Sequence, residues 1–312
     1  MQLLAGVGNA VIARVGVAGY FGGGQDNTPT VLSGIDKITF PTDSKSTLSA
    51  TLSGGRFYLA GMANSGVAGY FGAGRDGSSI DQSGIDKITF PADTKTTLSA
   101  TLSTARAFLS AMADSGVAGY FCGGNDTGGR ISGIDKITFP ADTKTTLSAT
   151  LSTARQTTGG MANYGVAGYI GGGSDGADIS GIDKITFPAD TKTTLSATLT
   201  TARAYLAAMA DSGVAGYFTG GLDSVGFLSG IDKITFPADT KTTLAATLSS
   251  GNFILAAMAD SGTAGYIGGG GDPSRLSRID KITFPGDTKT TLVATLSSAR
   301  YALAGMADSG VF

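Results

Sequence analysis

The chain carries few side chains for acid–base or metal chemistry. Its 312 residues include no histidine, no tryptophan and one cysteine, Cys122. Without imidazole the usual general base at neutral pH is missing, and no His/Cys cluster with metal-ligand spacing can form. A single cysteine also excludes a disulfide within the chain. Cys122 stands where the other copies of a repeated segment have Gly22, Gly72, Gly171, Thr219 and Gly268, so it reads as a small buried residue. Carboxylates remain. One aspartate recurs in each copy, at Asp26, Asp76, Asp126, Asp175, Asp223 and Asp272. Carboxylate oxygens suit Ca2+, but each of these lacks the second and third closely spaced acids of a dedicated site. An aspartate that turns the chain by bonding its own backbone is the simpler reading. Asp81 and Asp178 depart from the pattern as lone loop residues, and they are the only opening for a carboxylate-based hydrolase. The expectation is a protein that is not an enzyme, with no catalytic residue, metal or cofactor.

What positions these residues is a repeat. Ala18-Gly19-Tyr20 returns at residues 68, 118, 167, 215 and 264, at intervals of 50, 50, 49, 48 and 49. A period of roughly 40 to 50 residues points to propeller blades or helical solenoid units. The interior of a copy decides between them. Residues 104–153 hold four apolar or alternating runs separated by Gly, Asp, Pro and Ser, rich in Thr, Val, Ile, Phe and Tyr, with no sustained helical spacing. Strands are expected near 107–113 (a), 116–122 (b), 134–139 (c) and 146–152 (d). In strand c, Ile134 falls on one face and Ile137 and Phe139 on the other. That pattern suits sheets stacked face to face around a ring, because a lone four-stranded sheet cannot bury both its faces. The expected fold is all-β, a six-bladed β-propeller with four antiparallel strands per blade.

The order Tyr20-Phe21-Gly22-Gly23-Gly24, then Ile35-Asp36-Lys37-Ile38-Thr39-Phe40-Pro41, then a Thr-rich run ending near Ala-Arg (105–106, 154–155, 202–203, 299–300) resembles the kelch repeat. The resemblance covers the chain from residue 16 onward. The pattern departs at the strand-d tryptophan, where Leu48, Leu98, Leu147, Leu195, Leu244 and Leu292 stand instead. Some kelch propellers carry a catalytic copper held by His and Tyr; the absence of histidine removes that site here. The Gly-Val-Ala-Gly-Tyr-Phe and Ile-Asp-Lys-Ile-Thr-Phe wording also resembles kelch-type proteins of marine bacteriophages and uncultured viruses. That resemblance implies a virion component, such as a tail-fibre or surface-attachment protein.

Residues 299–310 repeat the text of strand a once more than strands b, c and d occur. The C-terminal strand is therefore expected to complete the first blade, making residues 16–312 the propeller and 1–15 an N-terminal arm or extra strand. The start lacks a basic n-region and reads poorly as a signal peptide, and every apolar run stops well short of the roughly 18 residues of a membrane span. A virion or cytoplasmic location is expected. A net charge of −2, with Asp36-Lys37 and its equivalents side by side, argues against a nucleic-acid groove; these Asp-Lys pairs read as a solvated or locally paired rim.

The copies differ mainly in two places. The b–c loops (25–33, 75–83, 125–132, 174–180, 222–229, 271–277) vary in sequence and length, and so do the d–a segments GGRFY, TARAF, TARQT, TARAY, SGNFI and SARYA. In an up-and-down blade these open on one face, while the nearly uniform a–b and c–d loops open on the other. Free drift would alter both faces, so the variable face is the expected recognition surface. Its candidate binding residues are Gln25, Asn27, Tyr58, Arg75, Asp81, Phe108, Asn125, Arg130, Asp178, Tyr205, Phe227, Arg275 and Tyr301. The expected partner is a cell-surface glycan or protein, with other virion proteins as further partners and neither nucleic acid nor membrane insertion. A scaffold that assembles through the uniform face or the arm is the other reading.

Overall fold

Each copy of the repeat folds as a four-stranded antiparallel meander, and the reason lies in its strand b. The sequence Ala-Gly-Tyr-Phe-Gly is buried at every position, which a strand achieves only when both faces of its sheet are covered. The computed structural model describes residues 18–308, and every regular element within them is a strand. In blade 2 the order from inside to outside is Ala60–Asn64 (a), Ala68–Gly72 (b), Ile85–Thr89 (c) and Thr94–Thr97 (d). Six such sheets are present. Their inner strands, Ala60–Asn64, Ser110–Asp114, Gly159–Asn163, Ala207–Asp211, Ala256–Asp260 and Ala304–Asp308, touch one another in that cyclic order. The molecule is a six-bladed β-propeller. Blade 1 joins the two ends of the chain: Ala304–Asp308 pairs antiparallel with Ala18–Gly22, which pairs with Ile35–Thr39 and so with Ser44–Thr47. The arm proposed for residues 1–15 lies outside the described residues.

In blade 3, strands b and c lie within two residues of expectation, at Ala118–Cys122 and Ile134–Thr138, and strands d and a differ by more. Strand d is Thr143–Thr146, not 146–152. Its ladder ends where Leu147 N–H donates to Ile134 O at 2.9 Å. The chain then leaves the sheet to bury Leu151 between blades and to place Ser152 on Asp183. Strand a begins at Ser110 rather than 107 because Phe108 adopts φ 60°, outside the strand region.

The core is divided among six seams between blades rather than gathered at one centre. Ile35 packs with Phe71, Ile88 and Phe90 of blade 2, while Ile38 and Phe40 of the same strand pack with Tyr266 and Ile279 of blade 6. Side-chain alternation along strand c produces this division. One position in each seam shows size matching. Gly22, Gly72, Gly171 and Gly268 close strand b in four blades, and each faces a phenylalanine of the next blade, Phe71, Phe121, Phe218 and Phe21. A Cβ at Gly171 would lie 2.6 Å from the Phe218 ring. Where the next blade carries Ile170 or Ile267 instead, the glycine is replaced by Cys122 or Thr219. Cys122 thus fills the space that a smaller neighbour leaves. Its thiol is fully buried, and burial pushes its pKa up to about 12.

The Asp-Lys pairs are not a solvated rim. Consecutive strand residues point to opposite faces, so Asp36 and Lys37 cannot pair with each other. Asp36 is fully buried and accepts from Arg300 Nη2 at 2.8 Å, from Ser297 N–H at 2.8 Å and from Thr47 Oγ1 at 2.7 Å. The linker from blade 6 is thereby fixed to blade 1. The same arrangement joins Arg56 to Asp86, Arg106 to Asp135, Arg155 to Asp183 and Arg203 to Asp232. Burial alone would raise the Asp86 pKa, but Ser53 N–H, the Thr97 hydroxyl and Arg56 together hold it below the ordinary carboxylate range. Blade 6 is the exception. Its linker has Asn252 in place of arginine, and Arg278 occupies the position of a glycine two residues before Asp280, with Nε 3.6 Å from the carboxylate. The cation is supplied from another position in the same seam.

Lys37 crosses to the other side, where it meets Asp93 of the blade 2 c–d turn at 2.7 Å. Tyr20 donates its hydroxyl to the same carboxylate at 2.8 Å and stacks on Phe90, with 5.1 Å between centroids. The set recurs around the ring and closes with Tyr266 and Lys281 of blade 6 on Asp43 of blade 1. Asp43 and Asp93 also turn the chain, at φ 56° and 55°.

Candidate functional site

The two faces of the ring are built differently. The a–b turns of the uniform face are tied blade to blade: Gly116 N–H donates to Asn64 Oδ1 and Gly165 N–H to Asp114 Oδ1. Serines reinforce the contact, as where Ser65 N–H donates to Ser115 Oγ at 2.8 Å. Val67, Val117, Val166 and Val214 stand 42–46 % exposed on these turns.

On the variable face the b–c loops and d–a segments meet around the axis. The residue two positions before each inner strand takes a positive φ of 55–60°, at Tyr58, Phe108, Thr157, Tyr205, Ile254 and Ala302. This bend turns the backbone of each segment toward the axis, where the six form a closed cycle of hydrogen bonds. Tyr58 N–H donates to Ala302 O, Phe108 to Tyr58, Thr157 to Phe108, Tyr205 to Thr157, Ile254 to Tyr205 and Ala302 to Ile254, at 2.7–3.0 Å. The side chains of these residues surround a small axial cavity floored by Leu59, Leu109, Thr158, Leu206, Leu255 and Leu303. Nothing in the one-letter pattern announces this ring, because its members share a backbone conformation and not a residue type.

Aromatic side chains cluster on the face in two groups. Tyr58 packs on Phe57, on Phe108 at 3.9 Å and edge-on against Tyr301. Across the axis Phe253 stacks on Phe227 at 4.5 Å and meets Tyr205 edge-on. Between the groups lies a cleft of about 530 Å³, walled by Tyr58 and Tyr301 on one side and Tyr205 and Phe253 on the other, with Asn27, Ser274 and Arg275 among its polar residues. Its size falls in the range of small-molecule sites.

Short pairings hold the polar residues in place. Gln25–Asp26 pairs with Arg300–Tyr301, and Gly271–Asp272 with Ser274–Arg275. The Gln25 carboxamide oxygen accepts from both Tyr301 Oη and Arg275 Nη2, each at 2.8 Å, and the Arg275 guanidinium lies 4.4 Å from the Tyr301 ring centroid.

The structure brings Asn27, Tyr58, Tyr205, Arg275 and Tyr301 to the cleft, with Gln25 behind Arg275. Phe227 supports Phe253 from outside, and Phe108 supports Tyr58. Arg75 is bound to Asp81 at 2.7 Å and lies over Phe108, so Asp81 is held by a cation within its own loop. Asn125 and Arg130 pair across the blade 3 hairpin, and Asp178 belongs to the blade 4 loop; none of these three lines the cleft. Burial and nearby Asp223 raise the Asp178 pKa. Phe253, Pro273 and Ser274 line the cleft without having been singled out by sequence; for Phe253 the signal was an aromatic within a d–a segment already known to vary.

Five of the six recurring loop aspartates, Asp26, Asp76, Asp126, Asp175 and Asp223, accept from the backbone of their own turns. Asp26 Oδ1 accepts from Thr28 N–H and Thr30 N–H, Asp76 Oδ1 from Ser78 and Ile80, and Asp223 Oδ1 from Val225 and Gly226. Among the described residues no three His, Cys, Asp or Glu side chains converge in a way that could hold a metal ion, and no helix is long and apolar enough to cross a membrane.

Fold and face together define a β-propeller with a loop-built cleft on one side of the ring. No protein-family model matches the chain, and no curated protein matches it.

Proposed function

We propose that this propeller is a non-enzymatic recognition module whose variable face binds a cell-surface glycan or protein. The observation that carries the reading is that length and sequence differences collect in the b–c loops and d–a segments, while the seams and the opposite turns repeat nearly unchanged. Such a division suits a rigid scaffold presenting loops for recognition. The cleft adds aromatic rings and a few fixed polar groups, the usual composition of a small-ligand site. We further propose a kelch-type origin and a virion role in host attachment, as a tail-fibre or surface component. The Gly-Gly pair after strand b, the aromatic-Pro turn after strand c and the arginine entering the next blade support the kelch reading. The test is a glycan and cell-surface binding screen, repeated with all six b–c loops exchanged for one common loop. Binding that disappears on exchange supports the reading, and binding that persists overturns it.

The second reading is assembly into a larger particle through the uniform face. Its support is the set of exposed valines Val67, Val117, Val166 and Val214, one per blade on four blades. Elution volume decides here: a defined oligomer that Val→Ser changes at these positions reduce to a monomer supports assembly, and a monomer at all concentrations counts against it.

A further inference from the structure

The arginines of this chain are almost all spent on carboxylates. Arg56, Arg106, Arg155, Arg203, Arg278 and Arg300 pair with strand-c aspartates, and Arg75 pairs with Asp81. Among the described residues, Arg130 and Arg275 are the arginines with no carboxylate within salt-bridge distance, and only Arg275 lines the cleft. Arg275 is nevertheless held in position: Tyr301 supports its plane and Gln25 takes one Nη2 hydrogen, while Nε is buried with no hydrogen-bond partner among the described residues. Asp26, on the neighbouring loop, has its pKa lowered by the Thr28 and Thr30 bonds and by the charge of Arg275, but it makes no salt bridge to Arg275 and directs Oδ1 into its own turn. An ordered guanidinium with free N–H groups beside a cavity is suited to a ligand carboxylate, which it can meet with two parallel hydrogen bonds.

The remaining walls indicate what carries that carboxylate. Tyr58, Tyr205, Phe253 and Tyr301 offer aromatic surface from both sides, and Asn27 and Ser274 offer short hydrogen-bonding groups. Flat aromatic faces pack on the C–H face of a sugar ring, carboxamide and hydroxyl groups pair with its hydroxyls, and Arg275 pairs with an acid on the ring. We propose that the cleft binds a carboxylate-bearing sugar residue, of the uronic or sialic acid class, with Arg275 as the group that recognises its charge. The proposal deepens the recognition reading and rests on it.

The test uses the full chain with three probes: sialyllactose, an oligogalacturonate and neutral lactose. With no tryptophan in the chain, tyrosine fluorescence reports on Tyr58, Tyr205 and Tyr301 alongside calorimetry. The expected result is binding of at least one acidic probe, no measurable binding of lactose, and at least a tenfold rise in Kd for Arg275→Gln. Arg275→Lys, which keeps the charge and loses the planar fork, should fall between Arg275→Gln and the parent. Unchanged circular dichroism and melting temperature in each variant separate lost recognition from lost fold. Lactose bound as tightly as sialyllactose, or acidic probes bound equally by Arg275→Gln, overturns the acidic-sugar assignment while leaving the face a recognition surface. No binding of either acidic probe, together with capture of a protein ligand that the six-loop exchange abolishes, overturns the sugar class alone. No binding of sugars or cells by any form overturns both readings.

Discussion

Aspartate does two unlike jobs in this molecule, one in the seams and one in the loops. In a seam, Asp86 is fully buried and holds Arg56, Ser53 and Thr97 at once. In the loop of the same blade, Asp76 is partly exposed and accepts from the backbone of Ser78 and Ile80 and from Gln82. Both recur in every copy, yet the first joins one blade to the next and the second only shapes a turn. Recurrence in a repeat protein therefore does not distinguish stability from function. The difference between copies does: seam changes come in compensating pairs, as with Cys122 and Ile170 or Asn252 and Arg278, whereas most loop changes stand alone.

The largest predicted effect acts on all seams together. Burial, with help from the c–d turn aspartates Asp93, Asp142, Asp190, Asp239, Asp287 and Asp43, raises the pKa of Tyr20, Tyr70, Tyr120, Tyr169, Tyr217 and Tyr266. Because the folded value exceeds the unfolded one, the contribution is complete below the unfolded tyrosine pKa of about 10 and declines above it, by about 1.4 kcal/mol per tyrosine per pH unit. Urea midpoints should fall steeply between about pH 10 and 11. Midpoints that hold steady across that interval would count against the buried triads. At the acid end the signs reverse. The seam aspartates Asp36, Asp86, Asp135, Asp183, Asp232 and Asp280 have lowered pKa values. Their contribution is present above the unfolded value of about 3.9 and is lost as pH falls through the lower folded values.

Next in size is a single seam. Asp86→Ala leaves Arg56 buried without its charge partner and should cost about 3–5 kcal/mol in urea unfolding. Smaller again is the size-matched position. Ile170→Phe should overfill the space beside Cys122 and cost about 1–3 kcal/mol, and adding Cys122→Gly should recover most of it by recreating the Gly72 and Phe121 pairing. A double-mutant cycle without coupling would remove the complementarity argument. The smallest change is expected at the loop. Asp76→Ala should cost about 1 kcal/mol, and a loss as large as that of Asp86→Ala would erase the distinction between the two regions.

Much of this division was legible in the residues. The spacing of Ala-Gly-Tyr counted the blades, the surplus copy of strand a at 299–310 indicated the closure in blade 1, and the opposite parity of Ile134 and Ile137 indicated a sheet packed on both faces. Strand d was misplaced because Thr-Lys-Thr-Thr-Leu-Ser-Ala-Thr-Leu-Ser is β-prone throughout, and only its pairing with strand c and the burial of Leu151 end the ladder at Thr146. Asp-Lys was misread as a self-cancelling pair although strand alternation forbids it. The axial hydrogen-bond ring and the orientation of Arg275 depend on backbone bends and on contacts across blades, which no single copy of the repeat encodes.

The most direct test of the account is the chain in which all six b–c loops are replaced by the blade 4 loop, measured for both urea midpoint and ligand binding. If seams build the ring and loops do the recognising, unfolding stays cooperative, its midpoint changes little and binding is lost. Binding that survives the exchange, or a ring that no longer folds cooperatively, would contradict it.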